Sequence, residues 1–201
     1  MEIEFTRMGI VYLHLIACCV AIGLVFTSDI AMVKQLMRAD PAEALDARHL
    51  SELQTTVSRA LLALWLTGAA IIALDVSLKG WGYFANPKLQ SKVAIVMLLT
   101  LNGYALHKYV LPMLKKAGSL LKLSFSQRNF ALFTGAVSGV SWLYAAMLGI
   151  GRPLNWKYSL IDIMAAYPVL IAGGFAFMVL LTTLSRSKAG DELEAGLAHS
   201  R

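Results

Sequence analysis

Cysteine is almost absent from this chain: Cys18 and Cys19 are the only two, and they are neighbours in one apolar run. Adjacent cysteines in a helix do not readily bridge each other, so the sequence excludes a structural disulfide and a cysteine-based zinc site. They are expected to act as small apolar packing residues. Charge is scarce as well. Charged residues make up 15% of the chain and hydrophobic ones 58%, whereas a soluble domain carries about a quarter charged residues. The local signatures of soluble enzymes are missing: there is no phosphate loop, no G-x-G-x-x-G at a strand–helix turn and no H-E-x-x-H. No repeat of 20–50 residues is visible, and nothing points to RNA binding.

What the chain has instead is apolar length. A spanning helix needs about 20 mostly apolar residues. Residues 8–28, 129–151 and 163–185 contain no Asp, Glu, Lys or Arg, giving runs of 21, 23 and 23. Residues 60–74 form a shorter run whose end charges, Arg59 and Asp75, can snorkel, and 76–78 extend it. Residues 93–106 are charge-free, and apolar character continues past His107 and Lys108 to Leu114. The pattern predicts an all-α fold: a polytopic integral membrane bundle with transmembrane helices over about 9–33, 57–78, 88–114, 129–150 and 159–184, in a single domain spanning 1–201. The first run is expected to be retained, because Glu2 and Glu4 spoil a basic n-region and no small-residue cleavage site follows. Asp40, Pro41 and Glu43 read as a helix start, predicting an interfacial helix over about 41–54, or one running straight into the second span. Gly135 and Gly139, with Ser138 beside them, form a small-xxx-small packing face. Pro168 with Gly173 and Gly174 is expected to kink or loosen the fifth span.

The net charge of +6 is explained by orientation rather than by nucleic acid. The 34–59 segment, the 115–128 loop and the tail hold eleven Lys and Arg, against six in the N-terminus and the other two loops. The positive-inside rule then places the N-terminus outside and the C-terminus in the cytoplasm of a bacterial-type inner membrane. In that topology His14, Asp75, Lys92 and Asp162 fall at comparable depth in the outer leaflet. Asp29, Arg59, His107 and Lys108 lie near the inner face, and Asn102 lies mid-span. Asp29 is expected to pair with Arg59, and Asn102 to find a partner among Ser138, Ser141 or Trp142. Each intramembrane polar residue is either functional or a packing and snorkelling feature. His14 and His107 are on parallel helices at depths about 21 Å apart, whereas two nitrogens on one metal each lie about 2 Å from it. They are not a bis-histidine pair.

The stretch "YLHLIACCVAIGLVF", through Leu13, His14 and Gly23, resembles the first helix of HemJ-type membrane protoporphyrinogen oxidases and the related copper-resistance D-type membrane proteins. "PKLQSKVAIVMLLTLNGYALH" is similar to a later helix of that family, through Lys92, Val96 and Leu99, or Lys88 and Leu89. The resemblance covers the first and third spans. It implies haem b, with His14 as axial ligand and Lys92 as its companion. Gly103 stands where that family has a histidine, and Thr27, Ser28 and Asp29 stand in place of its Leu-Pro-Arg, so the oxidase activity is not carried over.

Two function classes follow. One is a haem-b-binding redox or electron-transfer protein, with His14 on iron, Lys92 or Arg152 toward propionates, and small residues at Ala17, Cys18 and Ala21 admitting a flat macrocycle. The other is a small proton- or ion-coupled transport protein using the outer cluster and an inner one of Asp29, Arg59 and His107. Five spans do not divide into two inverted halves, which counts against a secondary transporter. A non-catalytic accessory subunit is the third reading, with other membrane subunits or a homodimer as partners beyond the lipid bilayer.

Overall fold

A computed structural model describes the backbone of residues 2–38 and 47–199, and most side chains outside 31–51 and 188–199. The described chain is built of helices: α1 (Glu2–Arg38), α2 (Ala47–Lys79), α3 (Pro87–Ala105), α4 (Leu111–Ala117), α5 (Phe125–Ile150) and α6 (Leu160–His199). Five stretches are long and apolar enough to cross a membrane: Glu2–Ile30, Thr55–Lys79, Pro87–Ala117, Phe125–Ile150 and Leu160–Ser185. The helix start read at Asp40, Pro41 and Glu43 lies outside the described residues. From Ala47 onward the chain enters the second of these stretches without interruption.

Helix ends follow local chemistry. Gly80, at φ 79° and ψ 175°, takes an extended positive-φ conformation open to glycine that stops α2, and its N–H bonds the Val76 carbonyl at 2.8 Å. Asn86 caps α3 by accepting the Lys88 N–H at 3.0 Å, with Pro87 in the first turn. Ser124 and Gln127 close a capping box on α5. Between α3 and α4, residues Leu106–Val110 form a π-helical turn. Pro112 explains it: with no N–H and a ring that collides with the carbonyl four residues earlier, it cannot continue an α-helical ladder. The Leu111 N–H reaches back to the Leu106 carbonyl instead.

α1 and α2 run antiparallel, with Arg7 against Asp75 and His14 against Thr67, whereas α4 continues the apolar stretch of α3. α1 lies along α2 and also touches α5 and α6, while α5 packs against α6 and α3. α5 is accordingly the most enclosed of the five and α1 the least. Three apolar layers stack along the bundle. Ile95, Tyr144, Leu148, Ile163 and Tyr167 fill the end carrying Trp81 and Asn155. Ala21, Ala60, Leu64, Leu99 and Trp142 fill the middle. Val110, Leu114, Leu120, Leu123, Ala131 and Leu132 fill the opposite end. Large apolar side chains such as Leu13, Leu66, Leu101 and Val169 face outward on several helices, as in a bundle whose solvent is lipid.

Of the two glycines expected on the packing face of the fourth span, one makes a close approach. A Cβ on Gly135 would meet nothing, and one on Gly139 would meet the Asp29 carboxylate of α1. The tight α5–α6 contact is at Gly174, where a Cβ would sit 3.4 Å from Val140 and 3.7 Å from Ala136. The small residue lies on the partner helix, which a motif within one helix does not reveal. α6 runs on through Pro168, which leaves the Met164 carbonyl without its helical donor. On that same turn the Tyr144 hydroxyl of α5 donates to the Ile163 carbonyl.

Asn102 also finds its partner on α5, but not a side chain: its amide donates to the Thr134 backbone carbonyl at 2.9 Å. Ser141, one of the expected partners, is taken by the Val137 carbonyl and the Tyr167 hydroxyl. Interhelical hydrogen bonds in membranes average only about 0.6 kcal/mol, because the separated helices find other partners. Asn102→Ala is therefore expected to cost roughly 1 kcal/mol in a mixed-micelle unfolding titration. A loss several times larger would mean that the amide organises more than this one contact.

Candidate functional site

His14 sits half-buried on α1, facing α2. Its Nδ1 lies 2.7 Å from the Thr67 hydroxyl oxygen. The same hydroxyl lies 2.6 Å from the Ala63 carbonyl in its own helix. With its hydrogen on that carbonyl, the Thr67 oxygen would accept from Nδ1–H and Nε2 would carry the lone pair. Among the described residues Nε2 has no hydrogen-bond partner. Gly68 makes room for the ring, since a Cβ there would sit 3.6 Å from His14 Cε1.

The third helix completes the group. Lys92 on α3, half-buried, lies within electrostatic reach of both the His14 imidazole and the Cys18 thiol one turn along α1. Among the described residues its ammonium makes no ion pair or hydrogen bond. An imidazole with a free lone pair beside an uncompensated cation can ligate a metal and hold a carboxylate or phosphate at the same place.

The other expected members are elsewhere. Asp75 is 2% exposed and belongs to an ion cluster: Arg7 Nε and Lys79 Nζ each lie 3.1 Å from one of its oxygens. Tyr83 completes that cluster, with its phenol pushed above the usual range by burial and then by the Asp75 charge. Asp162, exposed, caps α6 by accepting the Ser159 N–H and hydroxyl at 3.1 and 2.7 Å, while its own N–H bonds back to Ser159. Neither carboxylate joins His14. At the opposite end Asp29 and Arg59 form no ion pair among the described residues. Asp29 turns toward Gly139 of α5, whereas Arg59 is exposed, a long side chain better solvated at the rim. His107 Nε2 lies 3.1 Å from the Ser58 hydroxyl, and Lys108 is held by the Tyr104 hydroxyl at 2.8 Å. The Arg152 side chain lies outside the described residues.

His14 and His107 thus bond Thr67 and Ser58, nine residues apart on α2, which separates them by roughly 13 Å along that helix. Ala17, Cys18 and Ala21, expected to admit a macrocycle, are instead occupied packing α1 against α2 and Trp142 of α5. Thr67 and Gly68 were not singled out by sequence reasoning. The available signal was a hydroxyl and a glycine side by side in the 60–74 run, at a depth matching His14. No family of known proteins, no curated protein and no solved structure matches the chain.

Proposed function

We propose that this is a haem-b-binding membrane protein with a redox or electron-transfer role, using Nε2 of the half-buried His14 as iron ligand. The observation that carries this reading is the Thr67 bond. It gives Nδ1 a partner, and with the Thr67 oxygen as acceptor it would hold the Nδ1 proton and free the Nε2 lone pair, the arrangement that ligating histidines adopt. Lys92 supplies a cation for a propionate. The likeness of the first and third spans to HemJ-type and copper-resistance D-type proteins points the same way. Bound haem would supply one-electron chemistry. The chain's own part is to orient the imidazole through Thr67 and to place positive charge beside it at Lys92.

The carrier reading is weaker. It needs a carboxylate near His14, and Asp75 and Asp162 are both committed to structural bonds. The positive-inside count supports an N-terminus outside, with the His14 site in the outer leaflet; a bacterial-type inner membrane is part of the proposal. The test is an oxidised-minus-reduced absorption spectrum of protein purified in mild detergent from haem-sufficient cells. A Soret band that shifts on reduction is expected. A colourless protein overturns the proposal.

A further inference from the structure

We infer that residues 111–123, the turn joining the third and fourth apolar stretches, form a binding surface for the phosphate groups of anionic lipids. The segment is two-sided. Leu114, Leu120 and Leu123 are buried in the apolar layer they share with Val110, Ala131 and Leu132. Lys115, Lys116 and Lys122 are exposed on the other side. Gly118, at φ 71°, ends α4 in the left-handed conformation, and Ser119 accepts the Leu121 N–H to start a short 3₁₀ turn, Leu120–Lys122. This folds the chain back so that three ammonium groups share one short turn.

Two further observations identify the occupant. No Asp or Glu occurs between Asp75 and Asp162, so neither flanking helix brings a carboxylate. Among the described residues the two ion pairs belong to Asp75, at the other end of the bundle. Among the described residues, therefore, the three lysines have no ion-pair partner. One apolar stretch ends at Ala117 and the next begins at Phe125, so the turn lies at the level where lipid headgroups would sit. Its apolar side is already used in the bundle, which leaves charge alone to recognise a partner. Lipid phosphate meets that requirement.

Each lysine beside an anionic surface strengthens binding by about fivefold, so three together amount to on the order of a hundredfold. The test uses the full chain in neutral detergent, titrated separately with phosphatidylglycerol and phosphatidylcholine, with retained lipid read by native mass spectrometry. Wild type should retain phosphatidylglycerol in preference to phosphatidylcholine. The combined Lys115→Gln, Lys116→Gln, Lys122→Gln variant should lose on the order of a hundredfold in that preference, and Lys157→Gln, at the other end, should keep it. Equal retention of the two lipids overturns the inference, as does an unchanged preference in the triple variant. Displacement of phosphatidylglycerol by an equal concentration of a glutamate-rich peptide assigns the surface to acidic protein and also overturns it. Should the triple variant lose helix content by circular dichroism, the three single variants replace it, each expected to lose about fivefold.

Discussion

His14→Ala is expected to abolish the Soret band while leaving the bundle folded. The imidazole is half-buried, and its one hydrogen bond is to Thr67. Interhelical bonds of that kind are worth about 0.6 kcal/mol on average in membranes, so alanine should barely shift unfolding. Ligation is all or none by comparison, because no second histidine lies at that depth. Thr67→Val extends the test to the orienting bond. It keeps the shape but removes the acceptor for Nδ1–H, and loss of an outer partner of this kind typically costs 10–100-fold in metal-site affinity. Haem should therefore be retained more weakly in Thr67→Val, and the reduction midpoint should move, since the imidazole loses the bond that raises its basicity. A His14→Ala protein with an unaltered spectrum would remove His14 from the site. A Thr67→Val protein identical to wild type in both readouts would leave His14 as ligand and discard the tautomer argument.

Asp75→Ala is expected to do the converse: lower stability and leave the spectrum alone. The Asp75 carboxylate is buried and accepts from Arg7 on α1 and Lys79 on its own helix. It therefore ties the start of α1 to the end of α2. Removing one partner of a fully buried pair costs about 3–5 kcal/mol, because the other charge is stranded. Here the stranded cations are 42% and 52% exposed and regain solvation, so roughly 1–3 kcal/mol is expected. Unfolding in mixed micelles measures it. Asp75→Asn should fall between, since an amide oxygen still accepts one bond without the charge. A protein bleached by Asp75→Ala at unchanged stability would return Asp75 to the His14 site and revive the reading in which a carboxylate serves it.

These two residues show how far the sequence reaches. Counting residues at a fixed rise places His14 and Asp75 at comparable depth, but His14 bonds Thr67, eight residues before Asp75 on α2, so the two lie roughly 12 Å apart along the bundle. The count assumes that neighbouring runs start level, and the offset between helices is set by packing. Rotation about each helix is likewise invisible to it. Asp75 faces Arg7, Asp162 bonds within its own first turn, and Lys92 lies within electrostatic reach of His14. Asn102 makes the same point, because its partner was expected among three side chains of the fourth span and is a backbone carbonyl there. Every residue carries such a carbonyl, so no residue type marks it.

Run length and composition suffice for the all-helical character and the five stretches of spanning length, because these are local properties of the chain. Packing set how the runs are offset along the bundle, left Asp29 and Arg59 without an ion pair among the described residues, brought Gly174 into the close α5–α6 approach and put Thr67 beside His14. Each depends on which faces of two helices meet, and that is set by packing summed over the whole bundle.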